Sequence, residues 1–218
     1  MEKHMSDKSR MSSALVDVRK AYRLLYGYHR RIRDIVELCA QIIPEKPFKQ
    51  LTTVNTLTAN KRPLGDWWTW DCTPTFDWIF LFVEPGEAKR KAGMKFMLVL
   101  SFVADEALED AISEDEEPDG STLGAAEESR SVVECCMVGS SHKDPAWHQI
   151  WSQHWTGREE LIAAPMLREN DTESLDIMAY WKRIPMEEFS DEATVKLLVE
   201  RFRSEALRAL TEHATLRT

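Results

Sequence analysis

The chain's 218 residues fit one domain, and a hydrophobic fraction of 43% is ample for a single sizeable core. A formal charge of -9 argues against bulk, sequence-independent nucleic-acid binding, which depends on a cationic surface. The longest apolar runs, Ile79 to Val83 and Phe96 to Leu100, fall far short of the roughly eighteen residues that cross a bilayer, so no membrane partner is expected.

The opening residues, Met1 to Ser13, are polar and lack the apolar centre of a secretory leader, so residues 1–12 read as a flexible tail and the protein as cytoplasmic. In that setting Cys39, Cys72, Cys135 and Cys136 are expected as free thiols, the adjacent pair pointing to opposite faces of a strand. Charge is unevenly spread. Residues 1–95 hold 17 Lys+Arg against 11 Asp+Glu, whereas residues 96–218 hold 11 against 26. Either the two halves complement each other within one fold, or the first half offers a basic surface to an acidic partner.

The first element is a long helix from about Ser13 to Ile43, with Ser12 or Ser13 as N-cap and Pro44 as its stop. Leu15, Val18, Tyr22, Leu25, His29, Ile32, Val36, Cys39 and Ile43 follow at alternating steps of three and four, a heptad seam. The other faces carry Arg19, Lys20, Arg23, Arg30, Arg31 and Arg33, so the helix is amphipathic and basic. At 1.5 Å per residue it extends about 45 Å, more than a small domain is wide. It either lies across a sheet, or projects and pairs with a protein partner or a second copy through residues 13–43.

After Pro44 the period becomes extended. Candidate strands are Leu51 to Leu57, Trp67 to Asp71, Phe76 to Glu84, Met94 to Val103, Val132 to Val138, and Leu175 to Ile184. The loop from Pro85 to Gly93 is too short for a crossover helix, which makes the third and fourth antiparallel neighbours. Their unbroken apolar character suits strands buried on both faces. Residues 105–131, acid-rich without a basic residue as far as Asp119, read as a surface excursion whose later half self-repulsion keeps extended and mobile. Asp144 and Pro145 open a short helix with Trp147, Trp151 and Trp155 on one face, and a second is expected near Glu159 to Ala164. Ser190 is the expected cap of a C-terminal helix whose buried stripe is Val195, Leu198, Phe202, Ala206 and Leu210.

Spacing disfavours most site chemistries. His148 and His154 lie six apart and diverge by about 120° on a helix, and no C-x-x-C pair exists, so neither a metal nor another cofactor is expected. Asp77 followed by Glu87-Ala88-Lys89 is a faint echo of a metal-dependent nuclease, but the triplet falls in a hairpin loop where its geometry is not fixed. No phosphate-cradling glycine loop or nucleophile elbow is present. Tryptophan is the residual signal: Trp67, Trp68, Trp70 and Trp78 cluster within twelve positions, and alternation along a strand sends Trp67 to one side and Trp68 and Trp70 to the other. An indole left uncovered would make a binding anchor.

The expected fold is α+β, with a five- or six-stranded antiparallel or mixed sheet flanked by the N- and C-terminal helices. The leading functional expectation is a non-catalytic binding protein acting through Arg19, Arg23, Arg30 and Arg31 and through Trp67, Trp68 and Trp70. The setting expected for it is a bacterial or phage accessory, immunity or defence system, an expectation that no motif carries. The alternatives are a metal-dependent hydrolase or nuclease using Asp71, Asp77 and Glu84, and a nucleic-acid-binding protein using the helix's cations.

Overall fold

The computed structural model describes residues 7–43, 46–47, 77–83, 94–111, 123–140, 166–170 and 177–216. Its first element is the N-terminal helix Asp7–Ile42. The helix begins six residues before Ser13, so residues 7–12 are helical where the sequence suggests a tail. It ends just before Pro44, which has no amide hydrogen to donate to a further turn.

The strands are β1 (Lys46–Pro47), β2 (Asp77–Val83), β3 (Lys95–Val103), β4 (Val132–Ser140), β5 (Met166–Asn170) and β6 (Ile177–Pro185), lying in the order β1-β2-β3-β4-β6-β5. Every pairing is antiparallel. Four long strands, β2, β3, β4 and β6, form the body of the sheet rather than the expected five or six. The short pairings of β1 and β5 border them. All four long strands coincide with predicted ones, and β2 and β3 are the expected antiparallel neighbours, with Asp77 opposite Val103. The other predicted strands, Leu51 to Leu57 and Trp67 to Asp71, lie outside the described residues, as does the Trp147 to Trp155 segment.

Alternation along β3 explains its continuous apolar run. Phe96, Leu98, Leu100 and Phe102 face a core shared with the two long helices, whereas Met97 and Val99 join Ile79, Leu81, Cys136 and Trp181 on the opposite face. Cys135 and Cys136 divide between these two faces, and with Cys39 they are free and buried. Gly139 is required by close approach: opposite Phe96 in register, a Cβ there would stand 3.2 Å from the phenyl ring and 2.5 Å from the Met94 methyl.

The acid-rich excursion is partly structured. A short helix, Glu106–Ala111, is started by Asp105, whose Oδ1 accepts from the Ala107 amide at 3.1 Å. The C-terminal helix, Glu192–Leu216, is capped by Asp191 rather than by Ser190. The Thr194 amide donates to Asp191 Oδ1 at 2.9 Å and the Thr194 hydroxyl to Oδ2 at 3.1 Å. Those donations hold its carboxyl below the ordinary carboxylate range. The helix buries Val195, Val199, Phe202, Ala206 and Leu210; Val199 takes the fully buried place expected of Leu198, which is half-buried.

Candidate functional site

The N-terminal helix has two halves in different surroundings. From Ile32 onward, Ile32, Ile35, Cys39 and Ile43 are buried in the core beneath the sheet, with Val36 half-buried beside them. Up to Tyr22 the same heptad seam faces solvent, and Leu25 and His29 are partly buried. Met11 extends it by one step, and exposure is 63% at Met11, 48% at Leu15 and Val18, and 59% at Tyr22. Leu24 and Tyr26 are also exposed, at 75% and 70%. One stripe is therefore consumed at its C-terminal end and left open at its N-terminal end.

The changeover occurs at His29. Its ring stacks on Trp78 of β2, centroids 4.6 Å apart, and Trp78 in turn packs against Phe80. A histidine is a poor residue for a zipper interior, and here it is an aromatic contact to the sheet instead. Two residues on, the Arg31 guanidinium donates to the Phe189 carbonyl at 2.7 Å and ties the helix to the turn before the C-terminal helix. Arg31, expected as a partner-binding cation, thus has a bond within the fold. Arg19, Arg23 and Arg30 are exposed. Spaced four and seven apart, they fall within about 40° of one another around the helix, along one flank of the open stripe. On other faces Lys20 is paired with Asp17 at 2.8 Å, and Arg33 with Glu37 at 3.4 Å.

Where the projecting half meets the body there is an open groove of about 440 Å³, lined by Tyr28 and Arg31 of the helix, by Ser129 and Arg130, and by Glu187 and Ser190. Ser129 is held in place by donating to Asp105 Oδ1 at 2.5 Å, and Ser131 by donating to the Ala104 carbonyl at 2.6 Å.

The expected catalytic acids are not brought together by anything described. Asp77 begins β2 at the end of the sheet, while Asp71 and Glu84 lie outside the described residues, as do Trp67, Trp68 and Trp70. Among the described residues no three His, Cys, Asp or Glu side chains gather as metal ligands would.

A different ionic cluster does form, and sequence reasoning missed it. Glu134 on β4 lies opposite Arg183 on β6, and the guanidinium donates to Glu134 Oε1 from Nη2 at 2.6 Å and Nε at 2.8 Å. Its Nη1 reaches Glu106 Oε1 at 3.0 Å. Glu134 is 5% exposed, and its Oε2 is buried without a hydrogen-bond partner. These three groups, from segments far apart in the chain, do not line the groove. They clamp β4, β6 and the Glu106 helix together. The available signal was a lone acid in the apolar strand Val132 to Val138, since such a group must find a cation when buried.

The described molecule is thus an α+β protein with a projecting basic amphipathic helix, and among its described residues no helix is long and apolar enough to cross a membrane. The chain belongs to the PM0109 family, whose model matches residues 8–211 and so takes in the sheet, nearly all of the first helix and most of the C-terminal helix. No curated protein and no solved structure matches the chain.

Proposed function

We propose that this chain is a non-catalytic protein-interaction protein of the cell interior, whose α+β body presents the N-terminal half of its first helix to another protein. One observation carries the reading: Met11, Leu15, Val18 and Tyr22 continue the seam that Ile32, Cys39 and Ile43 bury, yet they lie open. Exposed apolar side chains in such a row are costly in water unless something covers them, and they are what an interface core is made of. Tyr22 and Tyr26 add large, rigid area that loses little entropy on contact. The buried free thiols fit a reducing compartment.

The surface open to a partner, or to a second copy, is narrower than residues 13–43. The segment from Ile32 to Ile43 is occupied by the chain's own core, which leaves the stripe from Met11 to Tyr22.

The test places a photo-crosslinking residue, benzoylphenylalanine, at Tyr22 and separately at Lys20 on the far side of the helix, in the cells that make the protein. A discrete adduct is expected from position 22, little from position 20, and a large loss when Leu15→Asp is added. An adduct of twice the chain's own mass assigns the occupant as a second copy. No adduct, or equal yields from the two positions, contradicts the reading.

A further inference from the structure

Resting on the reading of the projecting helix as an interaction surface, we propose that its occupant is an acidic amphipathic helix of another protein. Three features choose that partner. The first is the shape of the apolar surface: alternating steps of three and four make a stripe one helix wide, running about 17 Å from Met11 to Tyr22, which a second helix covers.

The second is charge. Arg19 and Arg23 form an exposed row beside that stripe, continued beyond its end by Arg30. Between residues 7 and 31 the helix has seven cations and only two carboxylates, Asp7 and Asp17, and Asp17 is already paired with Lys20. Two copies of this helix would therefore match poorly. In a parallel pairing the heptad positions set Arg19 against Ala14 of the second copy, and in an antiparallel pairing against Ser12, Arg19 or Tyr26. Neither orientation brings a carboxylate to Arg19, the arginine of the row that sits at an e position. Two open heptads are also fewer than the three or four that sustain a coiled coil unaided, so apolar contact needs electrostatic help. Acids on the facing helix supply it.

The third is the identity of the stripe. A nucleic-acid surface interleaves cations with aromatic platforms for stacking bases. Tyr22 and Tyr26 are such rings, but Met11, Leu15 and Val18 offer neither cation nor ring and would be left against phosphate or water.

The test is fluorescence anisotropy of the full chain with three labelled designed peptides of about 24 residues, long enough to cover the open stripe. All have Leu at the a and d heptad positions; the flanking positions are Glu, Gln or Lys. At about 0.1 M NaCl the Glu peptide is expected to bind at least about tenfold more tightly than the Gln peptide, and the Lys peptide weakest of all. That advantage should vanish at high salt and in Arg19→Gln/Arg23→Gln/Arg30→Gln, whose circular dichroism should match wild type because all three side chains are exposed. Leu15→Asp/Tyr22→Asp should abolish binding of every peptide. Equal affinity for the Glu and Gln peptides overturns the acidic partner while leaving the helix an interaction surface. No binding by any peptide overturns the acidic-helix proposal, and crosslinking at Tyr22 then decides the wider reading separately. A DNA oligonucleotide that binds more tightly than the Glu peptide, insensitive to Leu15→Asp/Tyr22→Asp, overturns both.

Discussion

Replacing Arg183 with Met is expected to destabilise the fold by about 3–5 kcal/mol, the range for removing one partner of a buried ion pair. Its guanidinium bridges Glu134 and Glu106, and Glu134 is 5% exposed with one oxygen already unpaired. Without the arginine, a carboxylate would remain in an apolar sheet face beside Cys136 and Trp181, with nothing to offset its lost hydration. The companion change Glu134→Met tests the cause. Two apolar residues of similar volume can replace a buried pair at little cost, so Arg183→Met/Glu134→Met should recover most of the loss. Urea melts of the wild type, both single variants and the double variant measure this. Additive losses would show that the pair is not coupled.

The second large effect is expected in alkali. Burial raises the Cys39 thiol to about 12, and burial likewise pushes Cys135 and Cys136 well above the ordinary thiol value. The folded state thus holds these protons more tightly than the unfolded chain. The stability this confers is complete below the unfolded thiol's pKa, near 9, and is lost as pH rises toward the folded value. At pH 10 each thiol should therefore remove on the order of 1 kcal/mol relative to pH 8, and the three together a few kcal/mol. Denaturation at the two pH values, on wild type and on Cys39→Ala, Cys135→Ala and Cys136→Ala, isolates their share from that of other groups. Each variant should lose about a third of the thiol-dependent drop. An unchanged drop in all three would mean that the thiols ionise freely in the folded protein.

Much of the fold is legible in the sequence because it is written in short-range pattern. The seam from Leu15 to Ile43 announces the first helix, the apolar runs at Ile79 and Phe96 announce buried strands, and Pro185 marks the end of β6. Adjacent Cys135 and Cys136 could be sent to opposite faces from strand geometry alone. What escaped was decided across distance. Periodicity is the same in both halves of the first helix, so nothing local tells that Leu15 is open while Ile32 is covered; that follows from where the sheet edge, through Trp78, meets His29. A straight helix also rotates a heptad stripe by about 20° per repeat, so four repeats carry it steadily off the face that the body covers. Arg31 looked like its basic neighbours, and only the position of the Phe189 carbonyl distinguishes it. The partnership of Glu134 and Arg183 depends on β4 and β6 being neighbours, although β5 lies between them in sequence.

The division of that helix into a buried half and an offered half is tested most directly by native-state hydrogen exchange on the free protein. A helix of this kind without tertiary packing is only marginally stable, so amides of residues 12–25 should exchange at least about a hundredfold faster than those of residues 32–42. Uniform, slow exchange from residue 12 to residue 42 would show that the first half is already held by its own body, and the proposed interaction surface would not exist.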